Sequence, residues 1–301
     1  LCIICLDHGV YPFGDRCLLQ VDMYHQYCPF FTEFMEKLKA GDSLMYSWSI
    51  GLGSDFVSLF AYYLASPLNW LIILCPRGLV IEFMSVLMIL KIALCGLTMG
   101  YYMKRHFKTE NPVVIVFATA YALSGFLAAY SWNVMWLDSI VLAPLIVLGL
   151  EQLIWERKPA LYFVTLAVSI LSNYYMSIMI CIFLVLYFLV LLFLEKCSFR
   201  IICNFILYSL LAGGMAAALL VPEVLAILET DFGDMDFPKK LESYFSVLDM
   251  LARHCMCVSC ERGLDHWPNI YCGAAVMMLI PMYVINGKIP ARKRFGYLAL
   301  A

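Results

Sequence analysis

The sequence Val21-Asp22-Met23-Tyr24-His25-Gln26-Tyr27-Cys28-Pro29-Phe30 holds the densest set of groups able to do chemistry. On a short helix Asp22, His25 and Gln26 share a face, because residues three and four apart are neighbours there. A carboxylate beside an imidazole and an amide suits a general base or a cation site. The competing reading is a solvated acid capping the next helix. Asp138 closes Trp132-Asn133-Val134-Met135-Trp136-Leu137-Asp138 at the mouth of an apolar run. An ionisable residue at a span's edge marks a functional site, or it is an interface acid favoured by a helix dipole. Asn173, Tyr174, Tyr175 and Glu223 fall on the same side. Lys91 and Glu82 share one span nine residues apart, too far to pair along a helix. Lys91 is expected to face the bundle interior as partner to a carboxylate or a lipid phosphate, with Glu82 reaching the interface.

Metal-binding patterns are incomplete. Cys257-x-x-Cys260, with His254, Cys255, His266 and Cys272 nearby, lacks the second pair of a zinc framework. A disulfide among these outer cysteines is the other reading. Residues 231–242 place Glu242 at the twelfth position of a calcium loop. However, Gly233 and Met235 stand where carboxylates are needed, and Asp236 where glycine is needed. No phosphate-binding glycine loop, dinucleotide fingerprint or nucleophile elbow is present.

The elements that must position these groups are membrane helices. The 301 residues are 63% hydrophobic and 14% charged, with mean hydropathy +0.85. A soluble domain has about 45–50% apolar and about 25% charged residues. A net charge of −2 gives no basic surface for nucleic acid. The apolar runs are continuous rather than alternating, which excludes a β-barrel. The expected fold class is an all-α polytopic membrane protein. Spans are expected at about 79–103, 112–131, 139–155, 160–176, 177–194, 201–222 and 270–286. Residues 160–194 carry no charge; as one helix they would extend about 52 Å, too long for a core of about 30 Å. A break is therefore expected at Ser172-Asn173-Tyr174-Tyr175. The ends read as helices cut short, so the chain is expected to be a fragment of a longer one.

Lys and Arg in short loops set orientation. Lys104, Arg105, Lys108, Arg157, Lys158, Lys196, Arg200, Lys288, Arg292, Lys293 and Arg294 all fall on one side of this arrangement, the cytoplasmic one. Large outer loops then cover residues 7–78 and 223–269. Lys37, Lys39, Lys239 and Lys240 lie in these long loops, where charge has little influence on orientation. Residues 31–40 form an amphipathic helix stopped by Gly41. Residues 56–75 are long enough to span, but Ser66-Pro67 and Asn69 interrupt them, so a re-entrant or interfacial pair is expected. Trp48, Tyr62 and Tyr63 suit the membrane interface and could also stack on sugars.

Asp22…Gln26…Pro29-Phe30, Tyr46-Ser47-Trp48…Gly51-Leu52-Gly53 and Tyr62-Tyr63…Ser66-Pro67…Asn69 resemble the bacterial YfhO-like membrane protein family. Trp136-Leu137-Asp138…Pro144, Ser172-Asn173-Tyr174-Tyr175 and Pro268-Asn269-Ile270-Tyr271-Cys272-Gly273 extend the resemblance over almost the whole chain. That family is similar to the GT-C glycosyltransferases and its members are much longer. The resemblance implies a GT-C-like helical bundle with large extracytoplasmic loops in the bacterial cell membrane. It implies transfer of a sugar from a polyprenyl-phosphate donor to a cell-wall polymer such as a teichoic acid, on the outer face. By position Asp22 matches the acid in the first outer loop of GT-C enzymes, a base or a metal-site residue. His25, Gln26, Asp138, Tyr174 and Lys91 are then expected around the substrate, with a divalent cation as the one cofactor this chemistry admits. A transporter or flippase for lipid-linked glycans, or a non-catalytic envelope-assembly protein, is the alternative; no internal repeat supports the transporter.

Overall fold

The computed structural model describes residues 1–195, 198–229, 243, 245–260 and 268–300. The readings at Lys196, at residues 231–242 and at His266 lie outside the described residues.

A short helix, α1 (Cys2–Asp7), precedes a π-helical turn, Met23–Tyr27, that runs directly into α2 (Cys28–Ala40). Pro29 fits the first turn of α2, where its missing N–H costs nothing. Gly41 ends the helix at φ +71, a left-handed cap that glycine adopts without a Cβ penalty. A two-stranded hairpin follows, β1 (Tyr46–Ser47) antiparallel to β2 (Ser54–Asp55), with Tyr46 opposite Asp55. Asp55 then caps α3 (Phe56–Leu59), its carboxylate accepting from the backbone N–H of Val57 and Ser58. α3 continues as a π turn, Phe60–Leu64, and a 3₁₀ helix, Pro67–Leu74. The two arms are bent by 103°, because Ser66 is extended and Pro67 cannot continue the preceding helix.

The remaining helices are α4 (Val80–Phe107), α5 (Val113–Ala122), α6 (Gly125–Tyr130), α7 (Leu137–Trp155), α8 (Ala160–Ser172), α9 (Tyr174–Leu194), α10 (Phe199–Leu228), α11 (Val247–Ala252), α12 (Ala274–Ile285) and α13 (Ala291–Leu300). Among the described residues five segments are long and apolar enough to cross a membrane: α4, Val113–Tyr130, α7, α9 and α10. The bent pair makes a sixth if it is one broken span. α8 and α12 are apolar but only 13 and 12 residues long. The protein is an all-α polytopic membrane protein.

Two boundaries differ from the sequence reading. The long uncharged run breaks at the single residue Asn173, which is extended and caps α9 by accepting from Met176 N (2.9 Å). α10 does not stop at Pro222. It continues through Val224, Leu225 and Leu228, since an apolar run outweighs the one backbone hydrogen bond that proline removes. Glu223, expected to open the outer loop, is therefore a helix residue. Every described cysteine is a free thiol, so the expected disulfide has no instance among the described residues.

α7 is the central helix, packed mainly on α4 and α8. It divides two cores. One gathers the π turn at Met23, α2, the bent pair, the first half of α4 and the start of α7. The other gathers the second half of α7 with α8, α9 and the start of α10. Between them Ser139, Ser169 and Ser177 form a buried hydroxyl cluster, with Ser169 Oγ 2.8 Å from Ser177 and 3.2 Å from Ser139. Small hydroxyl residues let apolar helices approach closely and bond across the contact. Helix α9 turns Ile178, Ile182, Val185 and Leu189 outward, the stripe a lipid-facing helix requires.

Gly149 sets a close approach of α7 to α8. A Cβ there would lie 2.4 Å from the backbone nitrogen of Tyr162, so α7 and α8 could not keep their spacing. Gly149→Ala is expected to cost about 1–3 kcal/mol, read as a lower apparent Tm of the detergent-solubilised chain. An unchanged Tm would show that the contact yields.

Candidate functional site

Lys91 is fully buried in α4. Helical side chains tilt toward the helix N-terminus, which carries its ammonium up to the start of α7. There Nζ donates to Asp138 Oδ2 (2.5 Å), to Val134 O (3.1 Å) and to Asn69 Oδ1 (3.2 Å). Its three protons are all spent. The other carboxylate oxygen of Asp138 accepts from Ser66 Oγ (2.7 Å), and Asp138 also sits in the first turn of α7, where the helix dipole favours an anion. Ser66 caps the 3₁₀ arm by accepting from Leu68 N, and Asn69 Nδ2 donates to Leu64 O (3.2 Å). One network thus fixes the bend to α4 and α7. Of the expected substrate contacts, Lys91 and Asp138 are brought together here, sealed from solvent and saturated by protein partners. They hold the scaffold. Glu82 is not part of this network, and its buried Oε2 has no hydrogen-bond partner among the described residues.

Above the network lies a wall of aromatic and polar side chains. Tyr27 stacks on Trp132 (6.2 Å between centroids, 10° between planes) and packs on Tyr63. Its hydroxyl donates to Asn133 Oδ1 (3.1 Å). Burial pushes the Tyr27 phenol well above its ordinary value, with Tyr63 and Asp22 adding in the same direction, so it stays a neutral donor. Gln26 Nε2 donates to the Tyr63 hydroxyl (2.9 Å). Tyr63 meets Tyr62, Tyr62 meets Tyr174, and the Tyr174 hydroxyl donates to Glu223 Oε1 (2.8 Å). Asn173 Nδ2 donates to Tyr62 O (3.1 Å), binding the break between α8 and α9 to the same wall. Several buried polar atoms of this region have no hydrogen-bond partner among the described residues: Trp132 Nε1, Asn133 Nδ2, Ser172 Oγ and Glu223 Oε2. A buried polar group left unpaired costs about 1–3 kcal/mol, so these donors and acceptors call for a further partner.

The π turn separates the first motif. Met23 and Tyr27 point into the core, while Asp22, Tyr24 and His25 are exposed and Gln26 lies between. A π-helical turn advances more residues per turn than an α-helix, so Asp22, His25 and Gln26 make no hydrogen bond with one another. The Asp22 carboxylate forms no hydrogen bond or ion pair among the described residues, although it acts electrostatically on Tyr27 and Tyr63 at the rim of the wall. Among the described residues no group of three His, Cys, Asp or Glu side chains converges. Tyr27 and Asn133 are not singled out as site residues by the sequence, and Ser66 and Asn69 read as interruptions of an apolar run and as part of the family motif, not as site residues. The signal was there, in polar residues breaking otherwise apolar segments.

A bundle of apolar helices pinned by a buried lysine–aspartate pair, with an aromatic and polar wall at one end, defines a multi-pass membrane protein. Comparison narrows the class. The family described as "Bacterial membrane protein YfhO" matches residues 1–301. The chain belongs to that family, and its place is the bacterial membrane, which it crosses several times. It is 23% identical over 208 residues to "Uncharacterized protein YfhO" of Bacillus subtilis (strain 168), an alignment covering 62% of this chain and 24% of the relative. The chain thus matches about a quarter of that relative's length. No solved structure matches it.

Removing either member of the buried pair leaves the other charge unpaired. Lys91→Met or Asp138→Leu alone is expected to cost about 3–5 kcal/mol, and the double variant less than either single one. Thermal unfolding of the four proteins in one detergent checks this. Additive losses would mean that the pair is not coupled.

Proposed function

We propose that this chain carries the outer-face site of a GT-C-type glycosyltransferase, which moves a sugar from a polyprenyl-phosphate donor to a cell-wall polymer of teichoic-acid type. The observation that carries the reading is the wall of Tyr27, Trp132, Tyr62 and Tyr174 with unpartnered Trp132 Nε1, Asn133 Nδ2 and Glu223 Oε2 among the described residues. Stacked rings bind the apolar face of a sugar, and fixed donors and acceptors bind its hydroxyls. Asp22 supplies the base. Its exposed carboxylate stands at the rim of the wall, committed to no hydrogen bond or ion pair among the described residues.

The reaction is an inverting displacement. The acceptor hydroxyl oxygen attacks the anomeric carbon and forms the new C–O bond. The bond from that carbon to the phosphate oxygen breaks, and its electron pair leaves with the lipid phosphate. The acceptor's proton passes to Asp22. Lys91 is not the cation for the leaving phosphate, since its protons are spent on Asp138, Asn69 and Val134. The N–H groups of Trp132 and Asn133, buried and unpartnered among the described residues, are the donors left for sugar-phosphate oxygens once the rings above them part. Lys91, Asp138, Ser66 and Asn69 position the wall from below.

In proteoliposomes holding the full-length protein and a polyprenyl-phosphate sugar, Asp22→Asn is expected to lower transfer at least about 100-fold. Its Tm should stay within about 1 °C of the parent, because the carboxylate is exposed. Wild-type turnover in Asp22→Asn would remove this base. Lipid movement across the bilayer without any transfer would favour a flippase instead. Trp132→Ala is expected to raise KM for the donor about tenfold by removing one stacking face.

A further inference from the structure

The bent pair, Phe56–Leu64 with Pro67–Leu74, begins and ends at one turn of α2. At its entry Lys37 donates to Tyr46 O (2.8 Å), opposite Asp55 in the hairpin, and lies over the Phe56 ring at 5.4 Å. At its exit Lys39 donates to Cys75 O, and Glu36 accepts from Arg77 Nε (2.9 Å) and Nη2 (3.0 Å). Glu36, Lys37 and Lys39 share a turn about 5.4 Å long. The arms extend no more than about 14 Å and 16 Å. With a bend of 103° their far ends stand about 20 Å apart, too close to lie on opposite faces of a core of about 30 Å. The deepest point, Ser66 to Asn69, is bound to Asp138 and Lys91. Lys91 lies thirteen residues, about 20 Å, from Lys104 at the basic end of α4. With Lys104 at the cytoplasmic edge, the pair reaches about 10 Å inside the outer edge of the core.

A 3₁₀ helix has three residues per turn, so its side chains form three straight ridges. Asn69, Ile72 and Cys75 make the buried ridge. Trp70 with Ile73, and Leu71 with Leu74, make the other two, and all four are exposed. Residues 67–75 carry no charge, and the next one is Arg77 at the exit. An apolar patch of this kind marks a membrane or protein contact. The arm packs on α4, whose outer half also exposes Val86 and Leu90, so the apolar surface is continuous from the arm to a span. The break at Ala65-Ser66 is buried in protein, the condition under which irregular backbone is tolerated at membrane depth. We propose that the bent pair is an anchor in the outer leaflet that enters and leaves the membrane on the outer side, and that Trp70, Leu71, Ile73 and Leu74 form its interface with phospholipid acyl chains. Elements that lie in the interface are buried about 5–10 Å into the headgroup and acyl boundary, the depth set here by the bonds to Lys91 and Asp138. This placement is independent of any transferase activity.

The test reconstitutes the unaltered full-length protein in phosphatidylcholine vesicles. These are doped with phosphatidylcholine that carries a diazirine either near the carbonyl or at the end of an acyl chain. Mass spectrometry of chymotryptic peptides locates the label. Peptides of Pro67–Leu74 are expected to take the shallow label and to lose most of it with the deep probe, whereas α9 takes both. In a second measurement an epitope is placed after Asp42 or, in a separate variant, after Gly78. Both are expected to bind antibody on intact protoplasts as fully as after permeabilisation. Equal labelling of Pro67–Leu74 by the two probes, or epitopes on opposite sides of the membrane, would make the pair a broken span. Epitopes both reached only after permeabilisation would put the pair in the wrong leaflet. No label with either probe would mean that another protein segment covers the arm. Each of these results would overturn the proposal.

Discussion

A lysine buried among apolar helices must find a counter-charge, and the architecture follows from how Lys91 finds one. Its ammonium has no route to water, so Asp138, Asn69 and Val134 take its protons. Those three partners belong to the bent pair and to the turn and first residues of α7. The cost of an unpaired charge there therefore fixes three elements at once. Ser66 extends the constraint by bonding Asp138 and capping the 3₁₀ arm in the same step. The 103° bend is held from both sides.

What lies above this network inherits its rigidity. Tyr62 and Tyr63 end the first arm of the bend, so their rings are presented at a fixed height to Tyr27, Trp132 and Tyr174. The serine cluster of Ser139, Ser169 and Ser177 joins this outer half to the inner core of α7 to α10. The charges therefore divide by burial and partnership. Lys91 and Asp138 are saturated and hold geometry, whereas Asp22 is exposed and uncommitted. The inner end repeats the division: Glu151 is enclosed by His106, Tyr102 and Tyr187, while Arg105 and Lys108 face an open pocket.

Much of this was legible in the residues, and the misses have physical causes. Asn173 was legible as a break because a polar residue cannot sit cheaply in a long apolar run. The helix stop at Gly41 was legible for its backbone freedom. The end of α10 was misplaced at Pro222 because proline's local penalty is smaller than the gain from continuing an apolar helix. The grouping of Asp22, His25 and Gln26 assumed α-helical spacing, and the π turn from Met23 to Tyr27 re-aims each of them. Gln26 meets Tyr63 across 37 residues, a separation that no local periodicity encodes.

The sequence by itself determined the solvent and the scale of the protein. Its continuous apolar runs require a bilayer, their lengths divide them into helices, and Lys91 within one run requires an anion, whether a carboxylate of the bundle or a lipid phosphate. It did not determine which acid. Glu82 on the same helix and Asp138 on another were both available. Only the tertiary structure selected Asp138, because helix packing and the bend at Ser66-Pro67 bring its carboxylate to 2.5 Å from the ammonium. Contact at that range depends on three-dimensional placement, whereas periodicity fixes only neighbours along one helix.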